Sequence, residues 1–353
     1  MKNKEYPLYP VATVNNLQEL LAYTAENYGD SPAFTFLRNK EAISVSYRRF
    51  KAEVEKLAAA LFHMGIQNTK AAVIGENSYE WILTYFAVVN SGNVIVPLDR
   101  DLPAPEIQRL LDDSGAKVLV YSDTYSDIAE HARKSGSDIR HYINMNSLPE
   151  LMDKCGPLID LAIDSRALAA LLYTSGTTGA PKGVMLSQYA LMRCTISACQ
   201  NVGIVGSNML VLPLHHSFGF LAGVCAMLLY GSEIFITSSL KNILADMEYC
   251  KPCNMFVVPL FVEAFYKKIW DSAKKRKKAT LLKKLIRVSN WLLHIGIDIR
   301  RFAFKPVHQA FGGNLKLLVS GGAPLDAKYI QGFRDFGIDL LNGYGITECS
   351  PIV

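Results

Sequence analysis

No stretch of this sequence approaches the roughly 18 consecutive apolar residues that a membrane-spanning helix needs. The longest candidate, Gly219 to Tyr230, is too short and reads as core. The N-terminus, MKNKEYPLYPVATV, has no apolar central region, so a secretory signal is not expected. Cysteine is sparse, with seven residues and no paired framework, which excludes a disulfide scaffold. Cys250 and Cys253 form a lone CKPC without the second pair or histidines of a zinc site, and reduced thiols of a cytoplasmic protein are the expectation. No GxGxxG follows a strand-like run, so a dinucleotide-binding fold has no support. Nor is there an internal repeat.

A uniform charge is also missing. The net charge of +5 is split, because residues 267–305 hold thirteen Lys and Arg against Asp271 and Asp298. The rest of the chain is mildly acidic. This excludes a generally basic nucleic-acid binder, and the aromatics of the basic segment sit at core spacing rather than interleaved for base stacking.

What is present is length and apolar content: 353 residues, half of them hydrophobic, enough for two or three packed lobes. Helix and strand signals alternate. Leu17 to Asn27 has helical apolar spacing and stops at Gly29. Ser46 reads as the N-cap of a helix to Met64, with Gly65 just beyond its end. Ala71 to Ile74 is a buried strand, Ser78 to Asn90 a helix ended by Gly92, and Val94 to Val96 a strand. Pro103 opens a helix to about Asp113, and Lys117 to Tyr121 is the next strand. Strands separated by single helices imply a parallel α/β sheet. Asp123 to Asp164 reads as polar and irregular, and the alternation resumes from Leu168 to Leu341.

One loop stands out. LLYTSGTTGAPKGVML, Leu171 to Leu186, sets four hydroxyls (Thr174, Ser175, Thr177, Thr178) beside Gly176, Gly179 and Gly183, with Lys182 as a cation. A glycine-rich loop of this kind between a strand and a helix exposes backbone N–H groups to phosphate. The Walker arrangement fails, since Lys182 follows Pro181 and precedes Gly183. The physical reading is a polyphosphate clasp.

Tyr173 to Gly183, YTSGTTGAPKG, resembles the signature loop of the adenylate-forming enzymes, which include acyl-CoA synthetases, luciferases and peptide-synthetase adenylation domains. LPLHHSFGF (Leu212 to Phe220), SGGAPL (Ser320 to Leu325) and NGYGITECSPI (Asn342 to Ile352) resemble three further motifs of that family, in its order, and NSGNVIVPLD (Asn90 to Asp99) also fits. The resemblance covers essentially the whole chain, and the ending TECSPI looks most like long-chain fatty acyl-CoA synthetases. One departure is Gln188, where the family often has His.

The resemblance implies attack of a carboxylate on the α-phosphorus of ATP, giving an acyl-adenylate and pyrophosphate, followed by thioester formation with CoA. Thr174, Ser175, Gly176, Thr177, Thr178, Gly179 and Lys182 would grip the β- and γ-phosphates. Thr347 would bond the α-phosphate, and Glu348 would hold Mg²⁺, a hard cation suited to oxygen ligands. Tyr344 would stack on adenine among Asn342, Gly343 and Gly345, with Gly321, Gly322 and Ala323 along the base. His216 would sit near the substrate carboxylate, with His215 the alternative, and Phe218 and Phe220 would line an acyl tunnel with Leu221 and Val224. Phe220, four residues after His216, would be its gate. Where peptide-synthetase domains commonly place an Asp to bind an amino-acid ammonium, this chain has His-His-Ser-Phe, so a fatty acid is the expected substrate. Aryl or medium-chain acids, a carrier-protein thiol in place of CoA, and a non-catalytic nucleotide- or acyl-binding module remain alternatives.

The implied fold is two parallel-sheet α/β lobes in an αβαβα arrangement, the first about 68–195, the second 1–67 plus 196–353 with a basic helical insert at 267–305. The family's small β-barrel lobe and mobile C-terminal domain are not in this sequence, so the chain by itself is expected to bind nucleotide weakly and turn over poorly. In the insert, Leu281, Leu285, Leu292 and Ile299 fall near one helical face around Trp291, a pattern that fits peripheral contact with the inner membrane surface.

Overall fold

A computed structural model describes residues 8–174, 181–237 and 239–350. The strands are β1 (Pro32–Arg38), β2 (Glu41–Ser46), β3 (Lys70–Ile74), β4 (Val94–Pro97), β5 (Val118–Tyr121), β6 (His141–Asn144), β7 (Leu168–Thr174), β8 (Lys182–Ser187), β9 (Asn208–Leu210), β10 (Ile234–Ile236), β11 (Asn254–Val257), β12 (Leu317–Ser320) and β13 (Asp339–Asn342). They form two open sheets, ordered β13-β12-β11-β9-β10-β1-β2 and β6-β5-β3-β4-β7-β8. Every pairing is parallel except the hairpins β1–β2 and β7–β8, each at a sheet edge.

The layering follows from alternation along the strands. In β3, Val73 faces one core while Ala72 and Ile74 face another; in β11, Phe256 and Val257 divide in the same way. Strands buried on both faces are apolar throughout, as parallel sheets require. The central core lies between the sheets and takes in the helices Leu17–Tyr28, Tyr47–His63, Tyr79–Asn90 and Gln188–Asn201. Two outer cores cover the remaining faces, giving the αβαβα stack.

Local chemistry sets the helix starts. Asn16, Ser46, Ser78 and Ser187 each accept a bond from the N–H three residues on. The helix after Ser46 ends at His63, and Gly65 follows with φ +79°. Gln188 is buried and joins two elements: it accepts from Leu17 N–H at 2.9 Å and donates to the Val89 carbonyl at 3.2 Å.

Two features depart from the sequence reading, and one lies where it assigns no element. β1 and β2 join through a two-residue turn at Asn39 and Lys40, both at positive φ, which matches the twist of a tight hairpin. The supposedly irregular stretch 123–164 contains the helices Ser126–Lys134 and Leu148–Asp153 and the edge strand β6. These elements are short, and only Ile143 of β6 is buried, so their apolar signal is faint. In the basic insert the helix Ala279–His294 ends before Ile299, with Gly296 at φ +85° beyond it, so Ile299 does not share its face. The side that meets the core carries Leu282, Leu285 and Ile286.

Candidate active site

The carboxyl ends of parallel strands are where open α/β sheets bind ligands. Here β9, β11, β12 and β13 all point their ends at one cleft of about 940 Å³. Val258, Gly321, Gly322 and the run Asn342 to Thr347 line it on that side. Leu212, Pro213 and the segment His216 to Gly219, followed by Ala222 and Ala226, line it too. Ser197, Ala198, Cys199, Asn201, Val202 and Ile204, at the end of the helix Gln188–Asn201 and just beyond it, also line the cleft, a wall that is apolar except for Ser197 and Asn201. The cleft therefore has glycine-rich strand ends and a mainly apolar wall in one enclosure.

The glycines are there for close approach. A Cβ on Gly321 would meet the Phe218 ring at 3.0 Å, and Gly322 has φ +84°. Gly343 N–H donates to the Ser320 carbonyl at 2.7 Å, tying the ends of β12 and β13 together. Tyr344 projects from this junction 71% exposed, so it is a free aromatic face and not core. Thr347 lines the cleft at the start of a short turn, Thr347–Cys349, that packs against β8. Lys182 begins β8 and is paired with Thr174 across the hairpin. Ser175, Gly176, Thr177, Thr178 and Gly179 lie outside the described residues. The strands on either side of the signature loop, β7 and β8, pair antiparallel, whereas the sequence reading expects a strand before the loop and a helix after it.

Glu348 is exposed and forms no ion pair among the described residues. Its carboxylate is a hard oxygen donor of the kind Mg²⁺ takes, but among the described residues neither Glu348 nor Lys182 lines the cleft, which reaches Thr347. Ala323 is exposed but does not line the cleft; Gly321 and Gly322 do.

The two histidines separate. His216 lines the cleft, while His215 turns inward, its side chain 6% exposed, with Nε2 3.3 Å from an Asp99 carboxylate oxygen. Burial, with His216 adjacent, pushes the His215 imidazole down to about 4 against the opposing pull of Asp99, so it is neutral at pH 7. Asp99, His215 and His216 bring one ligand atom each within 4.8 Å of one another. The segment is held by Asn77, which is buried: its amide donates to the Leu212 carbonyl at 2.8 Å and accepts from Leu214 N–H at 3.2 Å. Sequence reasoning missed Asn77 as a support because its partner is 135 residues away. Asp99 was seen only as the end of a motif.

Phe220 is not in the cleft. Its ring stacks on Tyr85 at 3.8 Å and packs near Trp81 and Phe86. Leu221 and Val224 are also core. A π-helical turn over Leu221–Cys225 follows Phe220, and the residues facing the cleft are Phe218, Gly219, Ala222 and Ala226. Phe220→Ala should therefore cost about 3–5 kcal/mol of stability through a core cavity. Chain-length preference should not change, and denaturant unfolding beside a ligand series checks both.

A family model described as AMP-binding enzyme matches residues 21–353. Long-chain-fatty-acid–CoA ligase FadD15 of Mycobacterium tuberculosis is 30% identical over 334 residues, covering 84% of this chain and 55% of that protein. Human long-chain-fatty-acid–CoA ligase 1 is 27% identical, covering 87% and 49%. The chain spans about half the length of the curated relatives it matches. Among solved structures, the inhibitor-bound N-terminal domain of FACL13 from M. tuberculosis superposes with a TM-score of 0.76 at 19% identity, covering 96% of this chain and 77% of that one. A long-chain-fatty-acid-CoA ligase (FadD1) from Archaeoglobus fulgidus gives 0.76 at 20% identity, covering all of this chain and 68% of that one. The ordered motifs, the two open sheets and the matched model agree: this chain belongs to the AMP-binding enzyme family.

Proposed function

We propose that this chain forms the nucleotide- and acyl-binding part of an AMP-forming acid–thiol ligase that activates a fatty acid as its acyl-adenylate and passes the acyl group to CoA. The observation that carries this reading is the continuity of the cleft: Gly321, Gly322, Tyr344 and Thr347 share one enclosure with a mainly apolar wall that includes Ala198, Val202 and Ile204. A mixed anhydride of a nucleotide and an alkyl chain needs both parts in one enclosure. The names of the similar long-chain ligases support the same substrate class.

The chemical difficulty is a carboxylate attacking a polyphosphate, so the site must offset charge and align the nucleophile. Tyr344 stacks on adenine, and Thr347 donates to the α-phosphate. Lys182 offsets charge on the leaving pyrophosphate, alongside the hydroxyls of its loop. His216 orients the substrate carboxylate from the segment after β9, which Asn77 clamps at Leu212 and Leu214. Glu348 would hold Mg²⁺, which neutralises phosphate charge when bound.

The metal assignment has a direct test in melting temperature. ATP with Mg²⁺ should stabilise the chain more than ATP with EDTA, and Glu348→Gln should remove that increment. Stabilisation by AMP without metal should be unchanged. An equal Mg²⁺ increment in both proteins would contradict the role of Glu348.

A further inference from the structure

The helix Ala279–His294 offers solvent a face that its own packing does not explain. Leu282, Leu285 and Ile286 meet the core, and Ser289 is buried beneath it. Yet Leu281, Val288, Trp291 and Ile295 are each more than half exposed, Trp291 at 64%. Steps of seven, three and four residues put them along one outward flank of the helix. Beyond the helix, Ile297 is half exposed and Phe302, on the short helix Arg300–Ala303, is 87% exposed. That short helix lies against the longer one.

The charge around this flank is mainly basic, with Asp335 held by Asn290 at 2.9 Å on the inner side of the helix. Helical spacing sets Lys284 and Arg287 beside Trp291 on the outermost face, with Lys283 next to them. The run Lys274 to Lys278 precedes the helix and is exposed throughout. Among the described residues, Lys275, Arg276, Lys277, Lys278, Lys283, Lys284 and Arg287 form no ion pair. Asp271 is taken by Lys274 at 3.9 Å and Asp298 by Arg300 at 2.8 Å. Unpaired cations beside exposed tryptophan and aliphatic side chains match an anionic, amphipathic surface in both respects. Indole and long aliphatic groups settle at the headgroup boundary, and basic side chains are attracted to anionic headgroups. No described helix is long and apolar enough to cross a membrane, so any contact by these helices lies along the surface.

We propose that this flank, Leu281, Val288, Trp291 and Ile295 with Phe302 beside it, docks on an anionic phospholipid bilayer. The assignment stands on surface chemistry and is independent of the ligase reading.

The test is co-sedimentation of this chain with vesicles of phosphatidylglycerol and phosphatidylcholine, compared with phosphatidylcholine alone. Binding is expected only to the anionic vesicles, weakening as salt rises. Trp291 emission should shift to the blue on binding, and a Trp291→Phe variant should lose that shift. Two variants at exposed positions separate the contributions. Lys283→Glu/Lys284→Glu/Arg287→Glu and Trp291→Ala/Phe302→Ala should each bind at least about tenfold more weakly, since each basic residue at an anionic surface is worth about fivefold. Their melting temperatures should match the parent. Absence of binding to anionic vesicles at low salt would overturn the proposal. So would full binding by the charge-reversed variant, or a concentration-dependent dimer abolished by Trp291→Ala/Phe302→Ala, which would make a second copy the occupant.

Discussion

Ala198→Trp should weaken binding of a long-chain acyl-adenylate analogue by about a hundredfold or more and leave AMP binding unchanged. Ala198 lines the mainly apolar wall of the cleft and is partly exposed. An indole there occupies the volume that the distal methylenes of an acyl chain would fill. Each buried methylene contributes about 0.8 kcal/mol, so excluding four of them removes about 3 kcal/mol, more than a hundredfold in affinity. Ala198 is not packed inside the central core, so the substitution does not overfill it. Isothermal titration with octanoyl and palmitoyl analogues separates the cases: the palmitoyl analogue should lose most and the shorter one less. Equal losses for both, or for AMP, would place the acyl chain elsewhere.

The second large effect is at the mouth. Tyr344→Ala should weaken ATP and AMP binding by about tenfold to a hundredfold, because base–aromatic stacking is worth about 1–3 kcal/mol by alanine substitution. The same change should leave folding stability within about 0.5 kcal/mol of the parent, since the ring is 71% exposed. Tyr344→Phe should restore most of the affinity, because the stacking face is kept. A large loss of stability in Tyr344→Ala would instead make the ring a structural element. Titration with AMP and denaturant unfolding of the same three proteins decide between these outcomes.

Much of this was legible in the sequence, for physical reasons that can be named. Ser46 and Gly65 bracket a helix because a hydroxyl cap and a positive-φ glycine are local devices, readable without tertiary context. The motifs around Gly321, Tyr344 and Thr347 are local as well, being the ends of individual strands, and the sheet order brings them together. What sequence hid depended on direction and distance. Phe220 was placed in the acyl path by its spacing from His216, but it stacks on Tyr85, from a helix far earlier in the chain. Asn77 holds the histidine segment through two hydrogen bonds that no local pattern announces. The choice between His215 and His216 likewise needed the Asp99 carboxylate, 116 positions upstream of the inward-facing ring. β6 was overlooked because an edge strand with one buried residue carries almost no periodic signal.

The central claim is that one cleft within these residues holds both nucleotide and acyl chain. The most direct test is the melting temperature of this chain with non-hydrolysable acyl-adenylate analogues of graded length. A ligand at a hundred times its dissociation constant stabilises the native state by about 2.7 kcal/mol. At roughly 2.1 cal/mol/K of unfolding entropy per residue, that is a rise of about 4 °C for a chain of this size. The account predicts a shift at a fixed analogue concentration that grows with acyl length until the groove is full. A shift independent of acyl length, or none with any analogue, would contradict it.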